Sequence, residues 1–293
     1  MPGPTIASNR SLAMPRRHRW AFGVGLVLLA ACTARVPDAN TLNSQSVALL
    51  GRAQFDSAIA VSAAAIAAKP DFADAYRNRG RAYRGKGDVA RAMQDLDRAI
   101  ALAPGNAAYH NDRGLTLQMA QQYEQAAASY TEALARDSTF VLARKNRGRV
   151  EFFLGRFADA ARDLEAGRRV DSTNAYLAIW LHFINRRLRQ DDAKQLAAQI
   201  AFTDTVRWPA PVAKYYLGRI SAEQLMAAAA RTDSKAMPDQ RCAVDFYVGE
   251  ELVWQQRIAE ALRRFEKTRD ACPTASTEYE GAVVELKRLA PVR

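Results

Sequence analysis

A 34-residue period constrains this chain more than any other feature. With Gly80 placed at position 8 of a block, residues 39–72, 73–106, 107–140 and 141–174 align without an insertion, and 242–275 form a fifth block. Position 8 is Ser46, Gly80, Gly114, Gly148 and Gly249, and position 20 is Ala58, Ala92, Ala126, Ala160 and Ala261. Apolar residues recur at helical spacing from position 17 (Phe55, Val89, Tyr123, Phe157, Ile258), and position 32 is Pro70, Pro104, Ser138, Ser172 and Pro273. Small residues at 8 and 20 let two helices cross closely, and proline ends the second helix. Such a unit buries its apolar face only against copies of itself, so the period predicts stacked antiparallel helix pairs. Alanine, the best helix former, makes up about a fifth of the residues. The expected fold class is all-α.

The pattern resembles the tetratricopeptide repeat, a helix-turn-helix unit whose copies wind into a superhelix, or α-solenoid. Block 73–106 matches best, with Tyr76, Gly80, Tyr83, Ala92, Leu96, Ala99, Ile100 and Pro104 in place. Block 39–72 departs at Ser46 and Ser62, as expected of a terminal repeat. In block 141–174, Glu151 takes an aromatic position and Gly167 and Arg168 replace Ala and Leu, so its second helix is expected to pack differently. Residues 175–241 break the period and read as a degenerate repeat and helical insert before the last repeat. Helices are expected over 176–188, 192–202, 212–217 and, from the capping pair Ser221 and Gln224, through Ala230. A capping helix is expected within 276–293.

The amino terminus reads as an export signal. A basic run, Arg16, Arg17, His18 and Arg19, precedes an apolar stretch from Trp20 to Ala31, too short for a membrane-spanning helix of about 20 residues. It ends in Leu29-Ala30-Ala31-Cys32, which resembles the lipobox of bacterial lipoproteins. The resemblance implies cleavage after residue 31, a covalent lipid on Cys32 and a tether over 32–38. Thr33 is similar to lipoproteins sorted to the outer membrane, which implies a lipid-anchored, periplasm-facing protein. Loss of residues 1–31 removes four arginines and no acids, so 42 basic residues become 38 against 31 acidic, and +11 becomes +7.

Several segments outside the repeat pattern carry a closer likeness. Trp208-Pro209, Lys214 to Ser221 (KYYLGRIS), Phe246-Tyr247-Val248-Gly249, Glu278-Tyr279 and Glu285-Leu286 resemble stretches of NlpI-type lipoproteins. That family implies a homodimeric, outer-membrane-anchored periplasmic adaptor that gathers cell-wall hydrolases and a protease.

In tetratricopeptide arrays, positions 2, 5, 6, 9, 12 and 13 of each first helix line the concave groove. Here they bring together Arg77, Arg81, Arg84, Lys145 and Arg149 beside Asn78, Asn111 and Asn146. The same rule puts Asp112, Gln118, Met119, Phe152 and Phe153 on the groove. Cations beside amides suit an acidic segment or a C-terminal carboxylate of a partner. A solvated face without a dedicated ligand is the plainer alternative. Nucleic acid is not an expected partner, because the chain is read as exported and has no basic stretch interleaved with aromatics.

No metal-ligand or nucleophile motif is present, and His110 and His182 fall at packed helix positions, so no catalytic residue, metal or cofactor besides the lipid is assigned. Cys242 and Cys272, at positions 1 and 31 of the last block, are either a disulfide favoured by an oxidising compartment or two separately buried residues. The chain is therefore expected to be a non-enzymatic periplasmic adaptor for cell-envelope partners. An assembly component of an outer-membrane insertion, pilus or secretion machine is the second reading, and an enzyme using carboxylates alone the third.

Overall fold

The computed structural model describes residues 37–201, 208–230, 240–274 and 276–290, so the proposed signal and Cys32 lie outside the described residues. Four helix pairs follow the period: α1 (Ala39–Gly51) and α2 (Phe55–Ala68), α3 (Ala73–Gly85) and α4 (Val89–Leu102), α5 (Ala107–Met119) and α6 (Tyr123–Arg136), α7 (Val141–Phe153) and α8 (Phe157–Val170). Each first helix has 13 residues and each second 14. Then come α9 (Ala175–Arg187), α10 (Ala193–Ile200), α11 (Ala210–Tyr216) and α12 (Ala222–Ala230). The last repeat is α13 (Arg241–Trp254) with α14 (Ile258–Ala271), followed by α15 (Thr277–Leu289). Among the described residues there is no strand.

One turn joins the two helices of every repeat. Its middle residue, position 15, adopts the left-handed conformation at Ala53, Gly87, Gln121, Gly155, Arg189 and Gln256. The N–H of position 16 donates to the carbonyl of position 11 at 2.8–3.0 Å in all six, from Gln54→Leu49 to Arg257→Leu252, which satisfies an orphan carbonyl at the helix end. Arg189 extends the series into residues 175–208. The period therefore continues one repeat further than its side chains suggest: α9 is a first helix in register, and only its partner α10 is shortened.

The close helix crossings behave as the small residues require. A methyl group added at Gly80, Gly114, Gly148 or Gly249 would stand 3.0, 2.6, 3.0 and 2.6 Å from Leu96, Tyr130, Leu164 and Phe265, in each case the residue at position 24. In the terminal repeat Ser46 and Ser62 occupy these two places and share a buried hydrogen bond of 2.6 Å. The position 20 alanines are fully buried. Helix α8 keeps the start and length of the other second helices despite Gly167 and Arg168, and Leu177 of α9 packs against Gly167.

The core thickens towards the carboxyl end, where Phe152, Trp180, Phe183, Phe246, Tyr247 and Phe265 are buried together. Trp180 and Phe183 meet Phe152 edge-on at 5.6 and 5.3 Å. The insert folds onto this core. Ser221 and Gln224 form the capping box, Gly218 ends α11 in the left-handed region, and Tyr216 Oη donates to the Tyr247 carbonyl at 3.2 Å.

Candidate functional site: a chamber between the concave face and α15

Neighbouring first helices are tied across the groove by residues 35 apart. Asn78 Nδ2 donates to Asn43 Oδ1 at 2.7 Å, Asn146 Nδ2 to Asn111 Oδ1 at 3.0 Å, and Tyr109 Oη to Asp74 Oδ1 at 2.8 Å. Asn78, Asn111 and Asn146 are at most 3% exposed. They hold helices to one another and are not free to read a peptide backbone, which corrects that part of the expectation. Asp112 stands where the flanking repeats have asparagine. It accepts from Arg77 Nε at 2.6 Å and lies 3.5 Å from Arg84 Nη1, which also donates to its carbonyl at 3.2 Å. Two of the groove arginines thus already face a buried carboxylate.

Arg81 and Lys145 make no ion pair among the described residues. Burial lowers the pKa of both from its ordinary value, opposed at Arg81 by Asp112 and reinforced at Lys145 by Arg149. Arg149 reaches the other way: its Nη1 donates to Thr277 Oγ1 at 2.9 Å and its Nη2 to Gln118 Oε1 at 3.3 Å. Helix α15 is therefore more than an end cap, because it crosses the concave face opposite α5 and α7. Between them is a cavity of about 700 Å³, lined on the groove side by Arg81, Arg84, Gln118, Met119 and Arg149 and on the α15 side by Thr277, Tyr279 and Glu280. Lys145 is outside this lining. Phe152 and Phe153, expected on the groove, are buried instead, and Arg288 of α15 donates to their carbonyls at 2.8 and 3.1 Å.

Glu280 projects into the chamber. Gln118 Nε2 donates to its Oε2 at 2.7 Å, and Tyr130 Oη fixes the amide by donating to Gln118 Oε1 at 3.0 Å. Burial raises the Glu280 carboxyl above the usual range, with Arg149 and Gln118 opposing. Among the described residues, Glu280 Oε1 and Arg149 Nε are buried without hydrogen-bond partners. A chamber with guanidinium groups on one wall can hold an anionic group by charge-assisted hydrogen bonds on that wall, with Glu280 opposing it from the other.

Several of the residues that carry the closer likeness, Phe246, Tyr247, Glu278 and Glu285, help place α15. Ser276 caps it, accepting from the Tyr279 N–H at 3.1 Å. Gly281 lets the helix close on Phe246, whose ring would lie 2.6 Å from an added methyl. Tyr247 Oη donates to Glu278 Oε1 at 3.0 Å, and Trp208 lies against Tyr247 with centroids 6.1 Å apart. Arg187 Nη2 donates to Glu250 Oε2 at 2.6 Å and to Glu285 Oε2 at 2.9 Å. The α15 wall of the site escaped the groove rule, which counts only first-helix positions; the acids Glu278, Glu280 and Glu285 so near a basic groove were the available signal.

His110 Nε2 lies 3.1 Å from the Pro104 carbonyl, and His182 Nδ1 lies 2.5 Å from Asp192 Oδ1, where it ties α10 to α9. Cys242 and Cys272 are joined by a disulfide with Cα atoms 5.2 Å apart, so the start of α13 and the end of α14 converge more closely than helix axes do. Among the described residues no cluster of His, Cys, Asp and Glu could hold a metal, and no helix is long and apolar enough to cross a membrane.

A tetratricopeptide repeat family model matches residues 44–107 and 111–177. With the helix pairs above, this match shows tetratricopeptide repeats in the chain, an architecture that generally binds other proteins or peptides. The chain is similar to the lipoprotein NlpI homolog of Haemophilus influenzae, 26% identical over 202 residues, covering 68% of this chain. The match spans 64% of that relative's length, less than two thirds. The Pseudomonas aeruginosa PilF structure shares the fold, with a TM-score of 0.52 at 15% identity over 82% of this chain and 94% of that one.

Proposed function

We propose that this protein is a lipid-anchored adaptor of the cell envelope whose chamber captures an acidic segment or C-terminal carboxylate of a periplasmic or outer-membrane partner. The observation that carries the reading is the set of guanidinium groups on one wall of the chamber, with Arg81 partly desolvated and without a carboxylate partner. Desolvation makes an incoming carboxylate worth more there than on an open surface. The likeness to a lipoprotein supports the anchor, as does the lipobox-like Leu29 to Cys32. The role is binding, with wall hydrolases or a protease as the partners that the likeness implies.

Crosslinking in cells followed by mass spectrometry tests the partners. Wall hydrolases or a protease are expected, whereas outer-membrane barrels or secretins would overturn this reading in favour of an assembly component. Arg81→Gln is expected to weaken capture without lowering the melting temperature, since its side chain lines the chamber and holds no ion pair among the described residues. Capture equal to wild type would refute the groove. Charge reversal at Arg149 is a poorer test, because it also breaks the contact to Thr277 and sets two carboxylates together with Glu280.

A further inference from the structure

The chamber adjoins a second cavity of about 330 Å³, and Gln121, Tyr123 and Val283 line both. Together they form one trough. Its first wall is α15, from Tyr279 to Arg288, and its second is built from four successive repeats, from Phe55 in the first to Leu154 in the fourth.

Most cations of the trough are already balanced. Arg84 faces Asp112, Lys86 pairs with Asp56 and Arg288 with Glu285, while Arg149 is turned to Thr277 and Gln118 with the Glu280 carboxyl in its field. Arg81 and Lys287 are the two lining cations with neither an ion pair nor a hydrogen bond among the described residues. Asp112, the carboxylate that acts on Arg81 from a distance, is taken by Arg77 and Arg84. Both free cations are within reach of an occupant, because Lys287 is exposed and no Arg81 nitrogen is sealed from solvent. They stand on opposite walls and at opposite ends. Arg81 belongs to the second repeat, whereas Lys287 lines the trough beside Phe153 and Leu154 of the fourth.

The stretch between them is mostly apolar. Met119 is 41% exposed, and Tyr123 and Val283 are only partly buried. Glu280 also lines this stretch and repels a carboxylate placed there. A matching occupant is therefore anionic at its two ends and neutral and apolar at its centre. Neighbouring helices lie about 8–10 Å apart, so two repeat steps cover about 16–20 Å, which an extended chain at about 3.3 Å per residue spans in five or six residues. Successive side chains of such a chain alternate sides, so a separation of about five places two acids towards opposite walls.

We propose that the trough along α15 binds an extended internal segment of a protein partner, with an apolar centre and two acids about five residues apart, one facing Arg81 and the other Lys287. The inference rests on the reading of the chamber as an anion site and narrows it, since a free C-terminal carboxylate supplies only one of the two charges.

The test is calorimetric titration of the full chain with the acetylated and amidated peptide Glu-Ser-Leu-Leu-Ser-Glu and with the two peptides in which one glutamate is glutamine. The two-acid peptide is expected to bind about fivefold more tightly than either one-acid peptide. Lys287→Gln, a change at the surface, is expected to erase that preference and to leave the tighter one-acid peptide unchanged, whereas Arg81→Gln weakens that peptide as well. Serine in place of both leucines is expected to weaken binding at least about tenfold. Equal affinity for one-acid and two-acid peptides, a preference that survives Lys287→Gln, or unchanged binding without the leucines would overturn the inference. Where Arg81→Gln still weakens the one-acid peptide, those results leave the chamber standing as an anion site. No binding of any acidic peptide would overturn both readings.

Discussion

Replacing Glu250 by glutamine should change how stability depends on pH more than it changes stability at any one pH. The carboxyl has no solvent-accessible side-chain surface and faces Arg187 from α9, Glu285 and Arg288 from α15 and Tyr216 from α11. Burial dominates, and the carboxyl titrates near 7 where an ordinary glutamate titrates near 4.5. The native chain then holds this proton more tightly than the unfolded chain does. Below about 4.5 both states are protonated; as pH rises to 7 the unfolded state releases the proton first, and native stability is lost across that interval. The difference corresponds to ~3 kcal/mol. Glutamine fills the same space and does not titrate, so the variant escapes the loss. Thermal unfolding at pH 5, 6, 7 and 8 should show the melting temperature of Glu250→Gln rising relative to wild type by ~6–12 °C across the series. A difference that stays constant with pH refutes the burial argument. A difference that shrinks as pH rises means that the Arg187 ion pair outweighs desolvation, and the sign assigned to this network is wrong.

Other expectations follow from the same contacts. Gly114→Ala drives a methyl to 2.6 Å from the buried Tyr130 ring and should destabilise by ~1–3 kcal/mol, less ~1 kcal/mol of helix propensity, whereas Gly167→Ala meets Leu177 at an ordinary 3.4 Å and should raise the melting temperature; the reverse order in differential scanning calorimetry would refute the crossing geometry. Reducing the Cys242–Cys272 disulfide opens a loop with a sequence separation of 30 and should cost ~3–4 kcal/mol in urea unfolding, with no change meaning that the bond constrains neither state. Cys32→Ser should move the protein from the membrane to the soluble fraction and abolish palmitate labelling, and a membrane-bound variant would remove the proposed anchor.

The helix pairs were legible because repetition samples one physical rule many times. A single glycine at a crossing is weak, but Gly80, Gly114, Gly148 and Gly249, each facing a larger residue sixteen positions on, define the same contact four times over. The left-handed turn at Arg189 escaped notice because arginine there adopts a conformation that composition assigns to glycine, and the Gln190 N–H bond to the Asn185 carbonyl holds the turn. The groove was half legible for a related reason. Position within a repeat says which side chains face inward; it does not say which inward neighbours satisfy one another. Asn78 and Asn43 meet only because adjacent first helices are offset by one residue, and the single change from asparagine to Asp112 redirects Arg77 and Arg84. Least legible was α15, whose contacts to Gln118 and Arg149 span 162 and 128 residues. No local period encodes them. They are set by the path of the chain over the later repeats, which brings the last helix back across α5 and α7. The specificity of the chamber accordingly depends on both ends of the solenoid, and a mutation that alters its pitch at α9 or α10 should retune the binding wall without touching it.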